Sequence, residues 1–317
     1  MSLVFFDIEC ASVRKTVAKI CVFGYVVCDE NFNILKKEDI LINPRGEFHL
    51  TDRKGDKGIV LPYSYEEFKK YPAFPKVYGY IKELLEDKDN IILGHATMND
   101  VKYLNLETKR FRLPSFRFSF SDSQLIYMTY ISDYSHQFGL EHIANDLGVD
   151  FVPHRAADDA YATMRVVEAM CKAKGCGYSE LVKQLRVTEG RISNYQIHAP
   201  TSHGFKAHHA KINELKQQRA KTRTKFANYI TRKRPFSGGK FAGKTFTFAR
   251  EIEDDLPLAE SMADAVFKSG GNYSFHVTKS DFYVTFQGDD SPRSQNAQKL
   301  KGVTVLDVAG FKELLNG

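Results

Sequence analysis

No run of apolar residues in the sequence is long enough to cross a bilayer. The longest, such as Ile20 to Val27, stop far short of the roughly 20 residues a spanning helix needs. No transmembrane segment and no membrane partner are therefore expected. Cysteine is scarce: the five, at positions 10, 21, 28, 171 and 176, are odd in number and contain no Cys-x-x-Cys pair. That pattern excludes a zinc site of the usual spacing and a disulfide framework, and suits ordinary thiols in a reducing compartment. The opening residues Met1-Ser2-Leu3-Val4-Phe5-Phe6-Asp7 have no basic stretch ahead of them and meet acidic residues at once. This argues against a secretory signal and predicts a cytoplasmic protein.

Acidic residues are nearly missing from one region. Residues 181 to 244 hold only two, Glu189 and Glu214, and carry a net charge of +13, between flanks of −3 (1 to 180) and −4 (245 to 317). A basic block between mildly acidic ones is an electrostatic footprint for a polyanion, of which nucleic acid is the commonest. The remaining composition, 43% hydrophobic and 26% charged over 317 residues, provides for two folded units or one large unit with an appendage.

Periodicity predicts a mixed α/β architecture. Leu3 to Ile8, Ile20 to Cys28 and Asn33 to Ile42 read as three antiparallel strands, with helices at Tyr65 to Tyr71 and Lys76 to Leu85. Ile91 to Gly94 reads as a buried strand. Asn99 to Glu107 reads as helix, Ser115 to Phe120 as extended chain, and Ser123 to Tyr130, Leu140 to Leu147 and Asp158 to Lys172 as helices. Strands followed by alternating helices and strands give a mixed sheet flanked by helices. The expected domains are residues 1–177, a basic and partly helical linker over 178–242, and a small α/β domain over 243–317. Within the linker Ala207 to Ile230 is compatible with a helix, and Ser237-Gly238-Gly239 with Gly243 reads as a flexible joint.

Asp7 and Glu9 stand two apart on the first strand, so their side chains leave one face together. Two carboxylates on a buried strand are costly unless something positive lies between them, and a hard divalent cation is the natural solution. Gly94 to Asp100 leaves a buried strand and delivers Asp100 at a helix start. His154 to Ala160 delivers a histidine and two aspartates in the same way. Positions 159, 162, 163, 166 and 170 share a helix face and hold Asp159, Ala162, Thr163, Val166 and Met170, so Asp159 is predicted to face the core and Asp158 the solvent. His154 lies where it can reach a metal-bound water. His95 reads as a structural histidine, and His198, His203, His208 and His209 as solvated side chains of the basic region.

Asp-Ile-Glu at 7 to 9, the His-x4-Asp of 95 to 100 and His-x-Ala-x-x-Asp-Ala at 154 to 160 resemble the motifs of the DEDDh exonucleases. This ribonuclease H-like group includes the proofreading subunit of bacterial DNA polymerase III, RNase T and oligoribonuclease. The resemblance spans roughly residues 1 to 175. It implies two divalent ions, Mg²⁺ or Mn²⁺, held by Asp7, Glu9, Asp100 and Asp159, with His154 as general base and a nucleoside 5′-monophosphate as product. The sequence departs from the family where Cys10-Ala11-Ser12 replaces the usual Thr-Thr-Gly, and where Ala96 and Asn99 stand in the second motif. DNA is the favoured substrate, in repair or replication. An RNA-trimming exonuclease or a non-catalytic nucleic-acid-binding scaffold could carry the same residues.

The basic segment offers Lys211, Lys216, Arg219, Lys221, Arg223, Lys225, Arg232, Lys233 and Arg234 as candidate phosphate contacts, with Phe226 and Tyr229 interleaved for stacking on bases. Beyond it, Gly243 to Phe248, Gly270-Gly271, Val277 to Val284 and Val303 to Asp307 resemble a BRCT domain. That likeness implies docking to DNA ends or to a repair or replication protein. Ala249 and Asn296 stand where phosphopeptide-binding members carry Ser or Thr and Lys.

Overall fold

The computed structural model describes residues 1–46, 62–150 and 155–316, which divide into two compact units, Met1–His209 and Ala210–Gly317. The first opens with strands β1 (Ser2–Arg14), β2 (Val17–Cys28) and β3 (Ile34–Leu41), then helices α1 (Tyr65–Phe68) and α2 (Phe74–Glu86). Strand β4 (Asn90–Gly94), helix α3 (Met98–Arg110), strand β5 (Phe118–Asp122) and helices α4 (Ser123–Tyr130), α5 (Leu140–Asp146), α6 (Ala156–Lys174) and α7 (Tyr178–Gln184) follow. Four short strands, β6 (Val187–Thr188), β7 (Gly190–Ser193), β8 (Gln196–His198) and β9 (Thr201–Ser202), lead into helix α8 (His203–Thr231). The first turns of α8, to His209, belong to the first unit and the rest to the second.

The main sheet runs β3-β2-β1-β4-β5-β7-β8. Its first three strands are antiparallel, β4 and β5 lie parallel to β1, and β7 returns antiparallel to β5. This is the mixed sheet flanked by helices that the sequence predicts. Alternation along β1 divides the core: Leu3 and Phe5 pack with residues of α4, α5, α6 and α7, while Val4, Phe6 and Ile8 pack with α2 and α3. Burial on both faces explains why this strand reads as an unbroken apolar run.

Two local features differ from expectation in the first unit. Strand β1 continues past Ile8 to Arg14, with irregular pairing around Cys10, because Ser12, Val13 and Arg14 stay in register with Lys19, Ala18 and Val17. Strands β6 to β9 occupy sequence read as linker. They are two to four residues long, too short to display a period.

The second unit holds β10 (Thr245–Phe248), α9 (Arg250–Glu253), α10 (Leu256–Lys268), β11 (Asn272–Tyr273), β12 (Phe282–Thr285), α11 (Pro292–Lys299), β13 (Thr304–Asp307) and α12 (Val308–Asn316). Its sheet is parallel, in the order β11-β10-β12-β13. Two expectations are corrected here. Phe226 of α8 does not await a base: it is fully buried, stacked on Phe248 and edge-on to Tyr273, because this core needs an aromatic from α8 to close it. The Tyr229 hydroxyl is likewise taken, by Asp264 at 2.6 Å. Nor is Gly239 part of a loose joint. A Cβ there would sit 2.4 Å from the Ser269 backbone, and the flanking Phe236 and Phe241 amides donate to the carbonyls of Phe267 and Ser269.

One glycine sets the position of α6. Gly24 of β2 pairs with Asp7, and a Cβ on it would meet the backbone of Ala156 and Ala157 at 2.2 Å. Only a residue without a side chain lets the start of α6 rest on the sheet at that point. Gly24→Ala should therefore force α6 outward, costing about 1–3 kcal/mol of stability in denaturant unfolding. Unchanged unfolding would show that the contact yields freely.

Candidate active site

Asp7 and Glu9 leave β1 on its α6 side, with Leu3 and Phe5. Strand β4 accompanies β1 only as far as Phe5 and turns away after Gly94. The first turn of α3 takes its place, where the Asp100 Oδ1 accepts the Ile8 amide at 3.2 Å. The turn is tight: Ala96 adopts φ +48°, a conformation L-residues rarely accept, and its amide is held by Asp122 at 3.1 Å. From the other side, α6 presents Asp159 in its first turn.

Carboxylate oxygens of Asp7, Glu9 and Asp159 all lie within 4.8 Å of one another, and among the described residues theirs is the group of acidic, His or Cys side chains that could share an ion. Asp100 lines the same cavity of about 240 Å³, together with His95, Asn99 and Tyr103. The structure thus brings together the four carboxylates expected from sequence. An all-oxygen donor set of this density fits a hard cation such as Mg²⁺ or Mn²⁺. His154, the expected base, lies outside the described residues.

The electrostatics reflect that crowding. Burial, and then the charges of Asp100, Glu9, Asp159 and Asp39, hold the Asp7 carboxyl well above the usual carboxylate range. Asp100 is also raised, by burial and then by Asp122 and Glu9, against the opposing pull of amides including that of Ile8. His95 lines the cavity as well: burial pushes it down to about 4, and its Nδ1 meets the Ser123 hydroxyl at 3.0 Å.

Several supporting residues escape a reading of motifs. Asp39 of edge strand β3 caps α6, accepting the Ala157 amide at 2.7 Å and the Arg155 guanidinium at 2.8 Å. Lys37, two residues earlier, pairs with Asp158 at 2.5 Å. This places Asp158 away from the carboxylate group, the helix-face assignment made from sequence. The signal for Asp39 and Lys37 was faint: polar residues on an edge strand, ordinarily explained by solvent. Gly24 could have been found as the glycine interrupting the apolar run Cys21 to Cys28.

Residues 4–167, over half of the chain, match the RNase T family, described as Exonuclease. The chain belongs to this exonuclease family. Among solved structures, the exonuclease is similar to one described as "3′-end specific recognition of histone mRNA stem-loop by 3′-exonuclease", with 17% identity over 64% of this chain and 71% of that one (TM-score 0.49). It is similar to the nuclease domain of 3′hExo, a DEDDh family member bound to rAMP, with 19% identity over 55% and 92% (TM-score 0.46). It is also similar to E. coli Exonuclease I in complex with a dT13 oligonucleotide, with 16% identity over 55% of this chain and 42% of that one (TM-score 0.42). No curated protein matches the chain.

The raised carboxyls carry a consequence for stability. Glu107 of α3, pushed up to about 7 by burial despite its pairing with Arg110, and Asp7, held well above its norm by burial and its acidic neighbours, favour folding while protonated. Their contribution is complete below the ordinary carboxylate range and is lost as the pH rises through the folded values. His95 has the opposite sign, but its effect ends near its ordinary value of 6.5. The metal-free protein should therefore lose thermal stability as the pH rises past about 6.5, through the folded values of Glu107 and Asp7. Asp7→Asn should flatten that decline, and Mg²⁺ or Mn²⁺ should raise the midpoint of the native protein. Calorimetry showing a midpoint that climbs with pH across this window would contradict the assignment.

Proposed function

We propose that the protein is a DEDDh 3′-5′ exonuclease that releases nucleoside 5′-monophosphates from nucleic-acid ends, with DNA favoured over RNA. The gathering of Asp7, Glu9 and Asp159 within 4.8 Å, with Asp100 on the same cavity, carries this reading. Asp7, Glu9, Asp100 and Asp159 would hold two divalent ions, Mg²⁺ or Mn²⁺, which when bound supply Lewis acidity toward water and toward the leaving 3′ oxygen. The chain's own groups position the rest. The Ile8 amide fixes Asp100, the Asp39 cap fixes the helix that presents Asp159, and His154 is assigned the proton of the attacking water.

The division of labour follows the charge. Residues 1–177 hold the chemistry, 178–242 bind phosphates, and 243–317 dock as a BRCT-like domain to a DNA-repair or replication protein. Support for the last is the parallel β11-β10-β12-β13 sheet with helices on it. The motif resemblance at residues 7–9, 95–100 and 154–160 to the group that includes the polymerase III proofreading subunit supports reading this as a cytoplasmic repair or replication enzyme. Of the nine basic candidates, Arg223 and Lys233 are engaged by Asp254 and Asp264, and Arg219 reaches Asp254 at 3.7 Å. Lys211, Lys216, Lys221, Lys225, Arg232 and Arg234 are exposed and are the phosphate contacts we favour.

End-labelled DNA and RNA oligonucleotides, tagged at either end and incubated with Mg²⁺, Mn²⁺ or EDTA, test the activity. Metal-dependent release of 5′-mononucleotides from the 3′ end is expected, and faster loss of DNA than of RNA. No release from any substrate would leave a non-catalytic scaffold. Asp159→Asn should cut turnover by about 100-fold or more, whereas Asp158→Asn should stay near the native rate. The reverse order would invert the helix-face assignment.

Phosphate binding by α8 has its own signature. Replacing Lys211, Lys216 and Lys221 together by Ala should weaken binding to single strands and reduce the log-log salt slope by about 2, at about 0.7 per phosphate contact. Arg223→Ala should instead lower the stability of the second unit and leave the slope alone, because its guanidinium is spent on Asp254. An unchanged slope in the triple variant would reduce this stretch of α8 to a solvated spacer.

A further inference from the structure

Strands β4 and β5 pair only at their ends, Leu93 with Ser121 and Gly94 with Asp122. Toward their starts they part, and a cavity of about 600 Å³ lies in the opening, with Asn90 to Ile92 on one side and Arg117 to Ser119 on the other. This is the opposite end of β4 from the turn that delivers Asp100, and the two cavities share no lining residue. Alternation arms one wall. Phe118, Phe120 and Ile192 belong to the core on the α2 and α3 side, so Arg117 and Ser119, and Arg191 and Ser193 of β7, emerge on the other face. Ser119 pairs with Arg191, which sets the two arginines on one diagonal of a four-residue patch and the two serines on the other. Both long side chains can reach one anionic group from there.

The charge of this wall is not spent. Neither guanidinium has a side-chain partner among the described residues, nor has the ammonium of Lys88 on the same cavity. Of the nearby carboxylates, Glu86 is engaged by Lys82 and by the Arg117 amide, and Asp87 accepts the Asp89 amide at 3.0 Å. Glu189 remains, exposed and without a cation among the described residues. The rim is firmly built. Asn194 and Tyr195, at the tip of the β7–β8 hairpin, adopt φ +49° and +61°, which a bulky residue rarely accepts. The Tyr195 amide donates to the Ser115 hydroxyl at 2.7 Å and its hydroxyl to the Leu113 carbonyl at 2.6 Å, which holds the tip in place.

Free cations with hydroxyl donors between them, and one lone carboxylate apart from them, suit a ligand that is anionic at one end and a hydrogen-bond donor at the other. A nucleotide has that form. Its phosphate takes guanidinium and hydroxyl donors, and its sugar hydroxyls donate to a carboxylate. The volume is that of a small-ligand site. We infer that this cleft is a second nucleotide site, separate from the carboxylate cavity, with Arg117, Arg191 and the two serines on the phosphate and Glu189 on the sugar. A free mononucleotide and a nucleotide within a strand present these same groups, and competition separates the two sources.

The test is calorimetric titration of the full chain with AMP in EDTA, where no turnover is read and the exonuclease reading plays no part. One site per chain is expected. Replacing Arg117 and Arg191 together by Ala should weaken AMP about tenfold or more, because charge-assisted hydrogen bonds to the phosphate are lost. Both side chains are exposed, so the variant should keep the native thermal midpoint. Glu189→Ala should weaken AMP more than inorganic phosphate, and the triple variant of Lys211, Lys216 and Lys221 should bind AMP as the native chain does. Photolysis with 8-azidoadenosine 5′-monophosphate should label residues 85–92, 117–119 or 189–194. Loss of that label when a single-stranded oligonucleotide is added assigns the site to a strand, and its persistence assigns the site to the free nucleotide. No binding by the native chain, unchanged affinity in the double arginine variant, or labelling confined to other segments would overturn the assignment.

Discussion

The repulsion between carboxylates midway along β1 is the constraint around which the first unit is organised. Asp7 cannot relax away from Glu9, because alternation along the strand sends both to one face, where they stand half-buried in one cavity. Asp100 and Asp159 add to the strain from α3 and α6. An arrangement so unfavourable alone persists because three rigid elements over-determine it. The sheet holds β1 on both edges, the Ile8 amide holds Asp100, and an edge-strand aspartate caps the helix that carries Asp159.

Apolar burial supplies the rigidity. Two separate cores, one on each face of the sheet, lock α2 and α3 on one side and α4, α5, α6 and α7 on the other. The carboxylate cavity opens where β4 departs from β1, so the chemistry sits at the seam rather than in a loop. Fixed positions matter here because catalytic groups lose effect when misplaced by an ångström. The second unit is built on a different economy, an aromatic-rich core in which α8 contributes Phe226, and its basic helix is partly neutralised by its own Asp254 and Asp264.

Much of the first unit was legible because its signals are local. The apolar run of β1, the helix-face count that separates Asp159 from Asp158, and the strand-to-helix delivery of Asp100 depend on periods that any window of ten residues displays. What escaped is set by distant contacts. Asp39 looks like one more charge on an exposed strand until α6 arrives above it. Phe226 looks like a stacking residue because its basic neighbours dominate the pattern, whereas its burial depends on strands that come later in the chain. Strands β7 and β8 carry too few residues to alternate and take their identity from pairing, β7 with β5 and β8 with β7.

The place occupied by Gly24 has a consequence for how this gene can drift. Every single-base change in a glycine codon that is not silent either ends translation or installs a residue with a β-carbon, and each such residue collides with the backbone at the start of α6. No single-base change that alters the residue offers a milder option. A position without chemistry of its own is therefore as closed to neutral change as the carboxylates opposite it, and an inventory of reactive groups alone would pass it over.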